Sequence, residues 1–302
     1  MKKFNLTIAA LCGYALLSGA VVSLSSCSEE VTNLQNQASG PYTPVRVRVS
    51  DFSIEMEGGA GTRAVQNPAD YKDVGAITLA FYSGTEEVYQ STQLKGSAAS
   101  FGDFSLELPL GTYTMVVIGR DNIDGDVFTL TSSTEAGYTS DKVRETFCAT
   151  QEVVVSNSTA INLSVTLNRI VPCLAIESTD NKPEGAAKIR TTYGAGGKNF
   201  NPTTGLAIQN TGFSVINSPK TAVGAPIAIG NFAFLASDEQ TMDITIEVLD
   251  ANDQVLTSRV VPDVPLKRNR KTTLSGDIFS PTETTATIKL ETEWLTSATV
   301  NF

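Results

Sequence analysis

The sequence predicts an all-β protein made of antiparallel sheets packed as sandwiches, and three observations carry that expectation. Apolar and polar residues alternate with period two in segment after segment, turn residues punctuate the runs, and no window beyond residue 26 sustains a helical period. Alternation puts one side of each strand in a core and the other in water, which suits antiparallel sheets covered on one face.

In chain order the first element is a targeting segment. Lys2 and Lys3 precede an apolar stretch from Leu6 to Leu24, followed by the small residues Ser25 and Ser26 and then Cys27. This is the pattern of a secretory signal peptide over residues 1–26. Leu24-Ser25-Ser26-Cys27 resembles a bacterial lipobox, which makes Cys27 the expected lipidation site. The competing reading is an uncleaved membrane helix, but Gly13, Ser18, Gly19 and Ser23 thin its hydrophobicity and no further apolar anchor follows. Cys12 lies inside the apolar stretch, behind the bulky Leu11, and is a poor lipid site. Several acyl chains on one cysteine, at roughly 0.8 kcal/mol per buried CH₂, hold a domain at a membrane without a protein span. Residues 27–44 are polar, contain Pro41 and Pro44, and read as a tether.

The strands follow. Val45, Val47 and Val49 alternate with Arg46, Arg48 and Ser50, giving a first strand over 45–55, and Gly58-Gly59-Ala60-Gly61-Thr62-Arg63-Ala64 then reads as a loop open to proteases. Ile77, Leu79 and Phe81 carry the next alternation. Leu108-Pro109-Leu110-Gly111-Thr112-Tyr113 turns the chain into Met115–Ile118, and Ile161, Leu163, Val165 and Leu167 alternate up to a domain boundary near Asn168 and Arg169. That boundary separates an N-terminal domain, 45–168, from a C-terminal domain, 169–302. In the second, 170–177 is strand-like and 178–202, rich in Gly, Pro, Asn and Lys, reads as loops. Ile244, Ile246 and Val248 mark a strand whose partner follows a hairpin at Asp250-Ala251-Asn252-Asp253. Ala286, Ile288, Leu290 and Trp294 carry the last alternation, with Trp294 expected in the core rather than as a sugar platform.

Composition narrows the function. The 302 residues hold 22 basic and 32 acidic side chains; without residues 1–26, which contain Lys2, Lys3 and no acid, the balance is 20 against 32, a formal charge of −12. Such a surface repels nucleic acid and anionic lipid. No histidine is present, which removes Ser-His-Asp and Cys-His catalysis and His-bearing zinc sites. Carboxylate-only chemistry, as in glycosidases, survives this test. Two of the four cysteines, Cys148 and Cys173, fall in the folded part; two buried thiols fit better than a bridge. Asp121-Asn122-Ile123-Asp124-Gly125-Asp126 lacks the pattern of a calcium loop, Gly194-Ala195-Gly196-Gly197-Lys198 lacks that of a phosphate loop, and Lys267–Lys271 reads as a solvated turn. No cofactor and no enzymatic activity are expected.

Several phrases together resemble the Bacteroidia fimbrillins, the type V pilins. They are the lipobox, the glycine-rich loop ending Thr62-Arg63-Ala64, Leu-Gly-Thr-Tyr-Thr at 110–114, Leu167-Asn168-Arg169-Ile170, and Pro265-Leu266-Lys267-Arg268-Asn269-Arg270 running into Thr273-Leu274-Ser275-Gly276. Ser28, Glu29 and Glu30 resemble the acidic tag that sends Bacteroidia lipoproteins to the outer face of the outer membrane. The resemblance implies two tandem transthyretin-like β-sandwich domains, an outer-membrane lipoprotein precursor and assembly into a surface fimbria with other fimbrial subunits. It also implies proteolytic maturation at Arg63–Ala64, where the bland alternative is an ordinary glycine-rich linker. The strand at 45–55 would leave and a neighbour's strand would replace it. Residues 284–302 are the candidate donor or, equally, a closing strand of the second domain. In the intact chain the completed sandwich is expected to offer a neighbour no groove and no unpaired edge.

A structural or accessory fimbrial subunit that supports adhesion is therefore the leading reading. A surface lipoprotein that binds glycans is the alternative, and a carboxylate hydrolase is the third.

Overall fold

The computed structural model describes residues 41–53, 68, 70–122, 128–280 and 287–291, and these residues form strands, turns and bends with no helix. The first half holds β1 (Tyr42–Ser53), β2 (Ala76–Ser83), β3 (Glu86–Leu94), β4 (Asp103–Pro109), β5 (Gly111–Arg120), β6 (Phe128–Ser132), β7 (Glu135–Tyr138), β8 (Thr146–Val155) and β9 (Ile161–Arg169). Seven of them form one sheet in the order β3-β2-β5-β8-β9-β1-β4. β8 and β9 are joined only at Phe147↔Arg169 and Cys148↔Asn168. The sheet folds over at that seam, and β3-β2-β5-β8 faces β9-β1-β4 across a core that includes Val47, Phe52, Leu79, Phe81, Met115 and Leu167.

The second half holds β10 (Cys173–Ser178), β11 (Lys188–Tyr193), β12 (Asn199–Asn201), β13 (Leu206–Ala207), β14 (Phe213–Asn217), β15 (Ala228–Phe232), β16 (Glu239–Leu249), β17 (Val255–Lys267), β18 (Lys271–Gly276) and β19 (Thr287–Glu291). Sheets β15-β10-β18-β19 and β14-β11-β16-β17 enclose a second core around Leu174, Ile229, Ile244 and Leu274. The two halves repeat one plan. β4-β1-β9 corresponds to β15-β10-β18, and β3-β2-β5-β8 to β14-β11-β16-β17. Strand senses repeat as well: β1–β9 and β10–β18 are parallel, and the remaining equivalent pairs are antiparallel. The parallel pairs correct the purely antiparallel expectation, because alternation reports which face is buried and is blind to strand direction.

β6, β7, β12 and β13 form a small sheet, β13-β12-β7-β6, that takes strands from both halves. It covers the outer face of β2 and β5, where Ala80, Tyr82, Val116 and Ile118 share a third core with Tyr138, Phe200 and Phe234. The rings of Phe200 and Phe234 stack 4.3 Å apart. This second buried face explains why β2 is apolar at nearly every position, a pattern that a one-sided sheet would not need.

Three local expectations change. β1 begins at Tyr42, so 42–44 belong to the sheet and not to a tether; Pro44 is tolerated because there the strand pairs with β4 alone, the β9 ladder starting at Val45. The segment 178–202 is not only loop: Ile189, Thr191 and Tyr193 face the core from β11. Ile288 and Leu290 on β19 are 38% and 40% exposed, so these two positions of the last alternation do not face a core in their own chain, and Ala286 lies outside the described residues.

Candidate functional site

β1 is the element on which the assembly expectation rests, and it sits in the middle of its sheet. β4 pairs antiparallel with 42–48 on one side and β9 pairs parallel with 45–53 on the other. Val45, Val47 and Val49 are buried, and a bulge between Val49 and Asp51 shifts the alternation so that Phe52 also enters the core. Gly119 makes room for the Phe52 ring, since a Cβ there would lie 2.9 Å from Phe52 Cε1. Phe52 then packs against Tyr71 and Phe147, with centroids 5.1 and 4.9 Å away. The four side chains contribute about 1.5–3 kcal/mol each through burial. Arg46 and Asp103 form a bidentate pair on the surface at 3.1 and 2.6 Å; hydrogen bonding to Arg46 holds Asp103 below its ordinary carboxylate value. An exposed pair of this kind adds little to holding the strand.

The aromatic cluster abuts a buried ionic junction. Arg169 Nε lies 2.7 Å from Glu145 Oε1, with both side chains almost fully buried. An Arg169 guanidinium nitrogen donates to Tyr71 Oη at 2.6 Å, another donates to Asn269 Oδ1 at 3.1 Å, and the Tyr71 hydroxyl donates to Glu145 at 3.1 Å. Arg169 therefore ties β9, the segment before β2, the entry to β8 and the β17–β18 turn together. Sequence reasoning treated 168–169 as a boundary and missed this role. The signal was present: 161, 163, 165 and 167 are the inward apolar positions of β9, and residue 169 continues that phase with an arginine. An arginine at an inward position needs a buried acid.

The Lys267–Lys271 cluster is likewise not a solvated turn. Asn269 and Arg270 are buried, Asn269 adopts φ +57°, its amide donates to the Val171 carbonyl, and Lys267 and Arg268 pair with Glu239 and Asp238. The composition of the turn serves the junction. By contrast the Leu110–Thr114 phrase does what its residues suggested: Tyr113 Oη donates to the Pro109 carbonyl at 2.9 Å and fastens the crossing from β4 to β5.

Where β8 and β9 part, a cleft of about 840 Å³ is lined by 149–151 on β8 and 164–166 on β9, and also by 202–205 and 267–270. Among the described residues no strand pairs with the outer edge of β9 over 161–167. Among the described residues the sandwich thus has an open edge, where the sequence expectation has none, because β9 has a full described partner on one side only.

Cys27, Arg63, Ala64 and Trp294 lie outside the described residues, as do 284–302 apart from β19. The described part of the candidate donor pairs antiparallel with β18 of its own chain. Cys148 and Cys173 are free and buried, and burial pushes both thiols up to about 12. Both should therefore resist iodoacetamide at pH 8 in the folded chain and react fully in 6 M guanidinium, as mass spectrometry would show. An unfolded thiol ionises near its ordinary value of 9, so each contribution to stability is complete below pH 9 and is lost as pH rises toward 12.

A family profile described as a family of unknown function, DUF6562, matches residues 45–300. No curated protein matches the sequence. Several solved structures share the fold. The fimbrial anchor protein Mfa2 from Porphyromonas gingivalis is 11% identical, with 84% of this chain and 98% of that one covered at a TM-score of 0.51. A candidate adhesin from Bacteroides ovatus is 12% identical, with 82% and 96% covered at 0.51. A candidate polysaccharide-binding protein from Bacteroides thetaiotaomicron is 9% identical, with 77% and 90% covered at 0.50. The chain has a Bacteroidia fimbrillin-like fold.

Proposed function

The chain belongs to the DUF6562 family, a family of unknown function, and from that premise we propose that it is a structural or accessory subunit of a cell-surface fimbria, supporting adhesion rather than catalysis. Its precursor is held at the outer membrane by acyl chains on Cys27, and it assembles by donor-strand exchange after a cut between Arg63 and Ala64. The two repeated strand plans support reading the halves as tandem transthyretin-like sandwiches, divided near Arg169. The observation that carries the assembly reading is the central position of β1: its removal leaves a groove with ladder partners on both walls and apolar pockets for alternate side chains.

Cys27→Ser should abolish palmitate labelling of the expressed chain, whereas Cys12→Ser should leave it intact. Label retained in Cys27→Ser would remove the anchoring part of the proposal.

The second reading, a surface glycan-binding lipoprotein, draws on the polar cleft at the β8–β9 seam and on the name carried by the Bacteroides thetaiotaomicron structure. Among the described residues no aromatic side chain lines that cleft, so these residues offer no ring face on which a sugar could stack. Binding on a glycan array would favour this reading over the first.

A further inference from the structure

The internal repeat gives the cleft a meaning. In the second half β18, the counterpart of β9, carries an additional strand, β19, on the edge away from β10. β19 pairs with β18 there and also approaches β17. In the first half the equivalent place, between β9 and β8, is the open cleft at 149–151 and 164–166. The seat that β19 fills in one half therefore exists, unfilled among the described residues, in the other.

We propose that the outer edge of β9 over 161–167 is a docking seat for an extended segment, that its occupant is the β19 segment of a second copy, and that this contact forms in the uncut chain. The inference deepens the assembly reading and rests on it, but it uses a different seat from the groove left by β1 and needs no proteolysis.

The backbone of β9 is set for pairing. Ser50 Oγ donates to the Val165 carbonyl, which therefore points toward β1. Successive residues of a strand direct their backbone groups to opposite edges, so Ser164 and Thr166 present amide and carbonyl to the cleft that they line. An unpaired edge set back in a cleft accepts one strand and resists open-ended pairing.

Two features favour β19 as the occupant. The repeat already pairs it, antiparallel, with the strand equivalent to β9, over five residues from Thr287↔Ser275 to Lys271↔Glu291. It is also lightly held at home: four of its five side chains are exposed and the fifth is only half-buried. Leaving β18 forfeits the ladder and little side-chain burial, whereas at β9 the same ladder is regained.

The test is site-directed cross-linking of the full-length chain, uncut, in detergent. One preparation carries Ser164→Cys and the other Lys289→Cys; opposed residues of paired strands lie within disulfide reach, and the native Cys148 and Cys173 are buried. Mild oxidation of the mixture should give a dimer at least several-fold above either preparation alone, and an excess of a synthetic peptide of residues 284–302 should suppress it. The control replaces Ser164→Cys by Ser105→Cys on β4, another exposed edge, and should give little dimer. Equal dimer with Ser105→Cys, no dimer with Ser164→Cys, or a cross-link formed within one chain carrying both Ser164→Cys and Lys289→Cys would each overturn the proposal. Because the chain is uncut, such a failure would leave exchange at β1, which is tested on cut protein, untouched.

Discussion

Replacing Arg169 by methionine should destabilise the folded chain by about 3–5 kcal/mol, the range found when one partner of a buried ion pair is removed. The substitution takes the guanidinium away from the buried Glu145 carboxylate, and it takes away the donor to Asn269 that links β9 to the β17–β18 turn. Urea unfolding followed by fluorescence reads the effect as a lower midpoint. The double substitution Arg169→Met with Glu145→Gln should recover a large part of the loss, since the two charges of the pair are then removed together. A loss below about 1 kcal/mol in the single variant, the size of an exposed pair, would mean that the junction is open to water.

The second large effect concerns release of β1 after a cut at Arg63. Because β1 is a central strand and not an edge, cutting the loop does not free it. Val45, Val47, Val49 and Phe52 together oppose departure by roughly 6–12 kcal/mol of burial, before the two ladders are counted. The cut chain should therefore retain its N-terminal fragment for long periods under native conditions. Phe52→Ala removes the ring from the Tyr71–Phe147 cluster at a cost of about 3–5 kcal/mol. It should speed fragment release at least tenfold, as native mass spectrometry over time would show. Equal release rates in the two proteins would mean that Phe52 is not what anchors the strand.

Much of this architecture was legible in the sequence, because strands buried on one face advertise themselves. Val45–Val49, Ile244–Val248 and the Asp250–Asp253 hairpin needed nothing but alternation and turn chemistry; Asp253 adopts φ +66° and the Asp250 carboxylate accepts two amides of the turn. β11 was hidden because six residues of alternation are diluted by the glycines, prolines and lysines around them. The small sheet β13-β12-β7-β6 was hidden because its strands are two to five residues long and pair across the halves, and period carries no information about such distant partners. The ionic junction was half legible, as an arginine in an inward phase, but Glu145, Tyr71 and Asn269 are 24, 98 and 100 residues away from it in the chain. The edge of β9 that no described strand covers was not legible at all, since alternation does not say which strand pairs with which.

The central claim is that this chain is a fimbrial subunit joined to its neighbours by strand exchange at the β1 groove. The most direct measurement is light scattering coupled to size exclusion, run in 4 M urea on full-length chain before and after an arginine-specific cut, with Arg63→Ala as the uncut control. The account predicts urea-resistant polymers from the cut chain once its N-terminal fragment has left, because extracting a paired apolar strand requires losing its ladders and its burial together. The uncut chain and Arg63→Ala should give none. A cut chain that has lost its fragment and still elutes as a monomer, folded and with the groove open, would contradict it.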